Sequence, residues 1–214
     1  TMKKLLLILI LTFSFQSWTK ADVEIDNIFG VKLKSDISNY SEVENGKEKD
    51  FLPDIYTFTD QYIDIERDSQ FTQYYLRTDR NYKVINITAG INISDTKNNF
   101  KNNCSSTKKR FISDLSLYLE IDENLFKTQF RKQSKKTPNY IGLWEDSSFV
   151  YVSDNHKARL MVYCVYYKNL EKGNFVERLV VTLMTEDYYR AHVLSRFKLT
   201  DSFDTKFIKN YIFN

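Results

Sequence analysis

The 214-residue chain is short of the residues on which much protein chemistry depends, with two Cys, two His, five Gly and two Pro. Two Cys cannot furnish a four-ligand zinc site, and two His add little to them. No apolar run reaches the ~20 residues that a bilayer-crossing helix needs, which excludes an integral helical membrane protein. There is no Gly-rich nucleotide loop, no CxxC pair and no nucleophile elbow. The residues therefore imply no cofactor and no metal. Gly, Ala and Pro are scarce while Lys, Asn, Ile, Phe and Tyr are abundant. AT-rich codons impose that bias, so the 15% aromatic content is not in itself evidence of a binding surface.

What is present begins with Met2-Lys3-Lys4, an apolar run from Leu5 to Leu11 that continues to Phe15, and a polar stretch reaching Thr19-Lys20-Ala21. A basic start, an apolar centre and a small residue at the cleavage position read as an export signal. Residues 1–21 are expected to be a cleaved signal peptide and residues 22–214 a single domain, placed in the periplasm or secreted. No Cys follows the apolar run to carry a lipid anchor. The signal holds Lys3, Lys4 and Lys20 and no acid, so its removal takes the 31 basic residues to 28, equal to the 28 acidic ones. The formal charge of +3 vanishes with it, and a nucleic-acid partner is not expected.

Export also bears on Cys104 and Cys164, a single pair in an oxidising compartment, where a disulfide is expected. Closing a loop of this length stabilises by about 4 kcal/mol in the chain-entropy model. The local patterns agree. Phe100, Cys104, Phe111, Leu115 and Leu119 form a stripe, broken near Thr107-Lys108, on a helix expected over 95–119 with Ser94 or Asp95 as cap. Leu160, Val162, Cys164 and Tyr166 share one face of a strand and can meet that stripe.

Strands are expected at 23–25, 31–33, 62–66, 71–77, 83–93, 140–144, 149–153, 159–167 and 176–184. In the fifth, Ile85, Ile87, Ala89, Ile91 and Ile93 fall on one face, with Asn86, Thr88, Gly90 and Asn92 on the other. Asp36 or Ser35 can cap a short turn toward Tyr40, and 41–54 reads as a polar loop. Lys172-Gly173-Asn174 lies in a hairpin loop. A short helix can run from Glu186 to Leu194, and Phe203, Phe207, Ile208, Tyr211 and Ile212 have helical spacing. The fold class expected is α+β: an antiparallel sheet of six or seven strands, one long helix on one face, and a C-terminal helix.

The signal, the Gly30-Val31-Lys32-Leu33-Lys34-Ser35-Asp36 segment, the helix-borne Cys104, the strand Val162-Tyr163-Cys164-Val165-Tyr166 and the Glu177-to-Glu186 stretch together resemble a group of small uncharacterised exported proteins from marine bacteria with AT-rich genomes. Members typically carry Gly-Asp-Ser-Leu where this chain has Lys34-Ser35-Asp36-Ile37. The resemblance implies the paired cysteines and lends no mechanism.

Candidate chemistry is thin. Asp64, Glu66 and Asp68 alternate as cation ligands could, but without a Gly-bearing turn they read as a solvated strand face. Ser153-Asp154-Asn155-His156 lies too close in sequence for a converging triad and reads as a turn. His192 has no evident partner. Glu120, Asp122 and Glu123 are adjacent rather than facing, as glycoside hydrolysis would require. The basic cluster Lys127, Arg131, Lys132, Lys135 and Lys136, with Lys108-Lys109-Arg110 on the helix, could touch anionic envelope lipid or polysaccharide; otherwise it is a solvated loop. The function expected is a non-enzymatic envelope binding or interaction module, its partner an envelope component or another exported protein. The rivals are a small hydrolase using carboxylates or His156, and a lipid or small-molecule carrier.

Overall fold

Alternation along the strands builds two unlike sheet faces, and the helix settles on the apolar one. The computed structural model describes residues 25–44, 47–49, 54–97, 103–136, 140–152 and 157–193, with 47–49, 127–136, 140–152 and 192–193 described through their backbone alone. In chain order the elements are β1 (Asn27–Ile28), β2 (Val31–Lys32), β3 (Lys47–Lys49), β4 (Tyr56–Thr59), β5 (Gln73–Thr78), β6 (Val84–Thr96), α1 (Asn103–Tyr118), β7 (Lys127–Lys136), β8 (Tyr140–Val152), β9 (Ala158–Asn169) and β10 (Phe175–Thr185). After β10 come α2 (Glu186–Tyr188) and a π-helical turn, Tyr189–Val193. Strands β3 to β10 form an eight-stranded sheet in the order β3-β4-β5-β6-β10-β9-β8-β7. Every pairing in it is antiparallel. The chain thus runs one meander from β3 to β6, crosses through α1, and runs a second from β7 that brings β10 back against β6.

The helix packs on β6, β9 and β10. Cys104, Lys108, Phe111, Ile112 and Leu115 are its buried residues along that side, a stripe of helical period. Beneath it lie Leu76, Ile87, Ala89, Leu160, Val162, Cys164, Leu179, Val181 and Leu183. The N-terminal segment covers the β4–β6 part of the same face with Ile28, Val31, Leu33 and Ile37. Its β1–β2 hairpin turns through Phe29 at φ 55° and Gly30 at φ 69°. Two left-handed residues in succession match the twist of a two-residue hairpin turn. Phe29 tolerates that conformation while its ring packs edge-on against Phe71 and Tyr74, with centroids 5.6 and 5.3 Å away. Next, Asp36 caps the short turn Ile37–Asn39. Hydrogen bonds from the Ser38 N–H and hydroxyl, then from Lys83, hold its carboxyl at about 2 against an ordinary 3.8.

Both ends of α1 are tied down. At its start, Cys104 is bonded to Cys164, and the Cys104 N–H donates to the Glu177 carboxylate at 3.0 Å. Glu177 is 0% exposed, a buried acid at the helix terminus where the dipole favours negative charge. At its end, Glu120 takes φ 55°, while Ile121 N–H reaches Ser116 O at 2.9 Å and Glu120 N–H reaches Leu117 O at 3.3 Å. That is a Schellman stop made without glycine.

Several expectations are corrected. The sheet has eight strands rather than six or seven. The helix does not start at Ser94 or Asp95, because β6 runs on to Thr96, held by the pairing of Phe175 with Thr96. No strand spans 62–66; Asp60–Tyr62 is a 3-10 turn, and the strand lies earlier, at β4. The 41–54 loop contains β3, and the expected strands 140–144 and 149–153 are one strand, β8, with a register irregularity against β9 between Leu143 and Phe149. Lys108, grouped with solvated basic residues, is 2% exposed within the helix stripe. The signal, His156 and the helix expected near Phe203–Ile212 lie outside the described residues.

Cys104 and Cys164 are 0% and 1% exposed, so the bridge is part of the core. Replacing both by Ser is expected to lower unfolding stability by about 3–4 kcal/mol, as read from urea unfolding of both forms. Thiol reagents should find no reactive sulfur in the folded, unreduced chain.

Candidate functional site

The face of the sheet away from α1 mixes polar, aromatic and apolar residues. The register places Gln73, Gly90, Val180 and Tyr163 in one row across β5, β6, β10 and β9, and Tyr75, Thr88, Thr182 and Met161 in the next. A third row holds Arg77, Asn86, Met184 and Arg159. At the centre, Asn86 Nδ2 donates to Thr182 Oγ1 at 2.7 Å, and Thr88 Oγ1 donates to Asn86 Oδ1 at 3.0 Å. Arg77 Nη1 also donates to Asn86 Oδ1, at 3.0 Å. This network satisfies a buried Asn on all sides and fixes the rotamers of the rows around it.

A bulge shapes this face. Arg77 pairs with Asn86 while Thr78 pairs with Val84, leaving Ile85 as the extra residue. Ile85 is thereby turned away from Ile87 and Ala89, with which its spacing grouped it. It packs instead with Ile55, Met161, Met184, Tyr188 and Tyr189. Among the described residues that apolar cluster covers one end of the second face.

The cluster is locked by charge. Both Glu186 carboxylate oxygens accept from Arg159, through Nε and, at 2.9 Å, Nη2; Arg190 Nε adds a bond at 2.9 Å. The Arg159 guanidinium lies 3.8 Å from the Tyr189 ring centroid. Thr185 Oγ1 accepts from the Tyr188 N–H at 3.3 Å, capping α2.

Toward the other end stands Arg178. Its side chain crosses β6 over Gly90: a Cβ at position 90 would come within 3.0 Å of Nε, Nη2 and Cζ. Arg178 Nε is out of contact with water and has no hydrogen-bond partner. Tyr167 is an electrostatic neighbour of this group, and Tyr75 is one of Tyr167. Burial pushes the Tyr167 hydroxyl above its ordinary 10.0, against the opposing pull of the Arg178 charge. Tyr75 donates its hydroxyl to Gln73 Oε1 at 3.2 Å.

A separate open groove of about 730 Å³ is lined by residues including Ser38, Ser41, Glu42, Tyr62 and Asp64. The Ser41 hydroxyl donates to Tyr62 O at 2.7 Å, which commits it to structure rather than to attack, and among the described residues no His lines the groove.

The candidates read from sequence scatter. Asp64, Glu66 and Asp68 lie on irregular chain; Asp68 accepts from the Gln70 N–H at 2.8 Å, and Glu66 packs on Gly30. Asp122 caps a 3-10 turn through the Asn124 N–H at 3.0 Å, while Glu120 sits in the helix stop, so these acids do not face one another. Among the described residues no group of three or more His, Cys, Asp or Glu could hold a metal ion. Lys127, Arg131, Lys132, Lys135 and Lys136 lie not on a loop but on β7, the last strand in the sheet order. Register puts Arg131 opposite Asp146 and Lys132 opposite Glu145. The Arg178 site escaped sequence reasoning, although a Gly inside a strand, here Gly90, is the signal of a close approach. No family model, no curated protein and no solved structure matches this chain.

Glu186 offers a direct test of this face. Burial alone would raise its carboxyl pKa, but hydrogen bonds from Arg159 and Arg190 outweigh burial and hold it below the ordinary 4.5. The unfolded chain therefore binds this proton more readily than the folded one, and the stabilisation is complete above about pH 4.5 and lost as pH falls through the lower folded value. Glu186→Gln is expected to cost about 2 kcal/mol near neutral pH. The gap between wild type and variant should close in acid, as followed by urea unfolding across that range.

Proposed function

We propose that this chain is a non-enzymatic binding module, exported to the periplasm or cell envelope, that engages an envelope component or another exported protein through the second face of its sheet. The observation that carries the reading is the make-up of that face: Tyr75, Tyr163, Tyr167, Arg77 and Arg178 around the Asn86–Thr88–Thr182 network. Rows of half-buried aromatic and polar groups on a rigid sheet suit recognition, since rings and guanidinium groups supply contact area at low conformational cost. Export is supported by the Lys3-Lys4 and Leu5–Phe15 signal pattern and by the core disulfide, a bond that persists in oxidising compartments. No described helix is long and apolar enough to cross a membrane. The group of exported proteins named by resemblance belongs to the same proposal.

Expression in a Gram-negative host should yield a periplasmic form whose N-terminal sequence begins Asp22-Val23-Glu24. The purified chain should bind saturably to an isolated envelope fraction, either polymer or exported protein. Turnover of common ester, glycoside or peptide substrates by the same preparation, or no saturable binding, would sink the reading.

A further inference from the structure

We infer that Arg178, seated on Gly90 and neighboured by Tyr167, with Tyr75 in reach of Tyr167, recognises a carboxylated sugar unit of an acidic envelope polysaccharide. The inference rests on the binding-module reading and names its ligand. Arg178 has no hydrogen-bonded or ion-paired partner among the described residues, and its Nε is buried and unsatisfied. A guanidinium held partly out of water without an acceptor is costly, and an incoming oxyanion removes that cost.

The local charges leave the place open for an anion. Asp95, the carboxylate in electrostatic reach of Tyr167, accepts instead from Asn174 Nδ2. Glu186, at the far end of the face, is shared between Arg159 and Arg190. Glu177, the chain neighbour of Arg178, points the other way, into the core beneath α1. Arg77 adds a second cation to the same face, its Nη1 bonded to the neutral Asn86.

The shape selects within the anions. Gly90 lets the guanidinium lie across the sheet instead of standing above it, so its planar fork is presented along the sheet. A carboxylate matches that fork with two coplanar oxygens. Tyr167, in electrostatic reach of Arg178, and Tyr75, in reach of Tyr167, give a pyranose ring an amphipathic surface to rest on while its acid group meets Arg178.

Calorimetry with the purified chain tests this, using oligomannuronate as the acidic probe, maltohexaose as the neutral one and dextran sulfate as the sulfated one. Oligomannuronate should bind, maltohexaose should not, and Arg178→Gln should weaken uronate binding about tenfold or more with its unfolding temperature preserved. Gly90→Ala, which displaces the guanidinium, should weaken it as well. Because a variant can fail to fold, the Nε–H resonance of Arg178 in the unmodified chain should also shift on uronate addition. Uronate binding unchanged by Arg178→Gln, an unmoved Nε–H signal, or tighter binding of dextran sulfate overturns the inference. If the chain binds the envelope fraction but not oligomannuronate, this inference falls and the binding module stands; if it binds neither, both fall.

Discussion

The structure depends most on how the first turn of α1 is pinned to the sheet. Cys104 is held twice, its sulfur by Cys164 on β9 and its N–H by the Glu177 carboxylate on β10. Glu177 pairs with Tyr166 and Leu179 with Cys164 in the β9–β10 ladder, so both tethers land within two residues of one another on adjacent strands. A covalent bond sets the distance while a buried carboxylate at the positive end of the helix dipole sets the direction. With position and angle both defined there, Phe111, Ile112 and Leu115 are laid along β6, β9 and β10, and the apolar face of the sheet is closed.

That closure assigns the second face its character. Residues alternate with those under the helix, so the Leu179–Val181–Leu183 row commits Arg178, Val180 and Thr182 to the opposite side. The bulge at Ile85 then redirects one apolar side chain to that side, where it anchors the Glu186–Val193 turn through Tyr188 and Tyr189. One end of the face is thus apolar and ion-locked, while the region around Gly90 stays polar. The division between an ion-locked apolar end and the end proposed to bind a partner owes Ile85 to an extra residue in β6.

Much of this was legible in the residues. The alternation of β6 between Ile87 and Ile91, the shared face of Leu160, Val162 and Cys164, and the meeting of the two cysteines all rest on periodicity, which survives there in the fold. What was not legible depended on long-range pairing. Ser94 and Asp95 look like helix caps, yet the ladder with β10 keeps them extended. The Lys- and Arg-rich 127–136 stretch has the composition of a solvated loop, but β8 draws it into the sheet residue by residue. Composition of that kind is also what protects a terminal strand from pairing with other chains. The helix stop at Glu120 lacks the glycine that ordinarily announces one. As for the candidate site, its parts come from four strands, β5 and β6 from one meander and β9 and β10 from the other, and only Gly90 hinted at it.

The cross-link joins positions separated by 60 residues, and between them lie nearly all of α1, all of β7 and β8, and half of β9. A protease cutting the backbone anywhere in that interval would leave two polypeptides still joined through sulfur. Such a nicked molecule would migrate as one species in an oxidised gel and as two after reduction, its damage hidden until the bridge is opened.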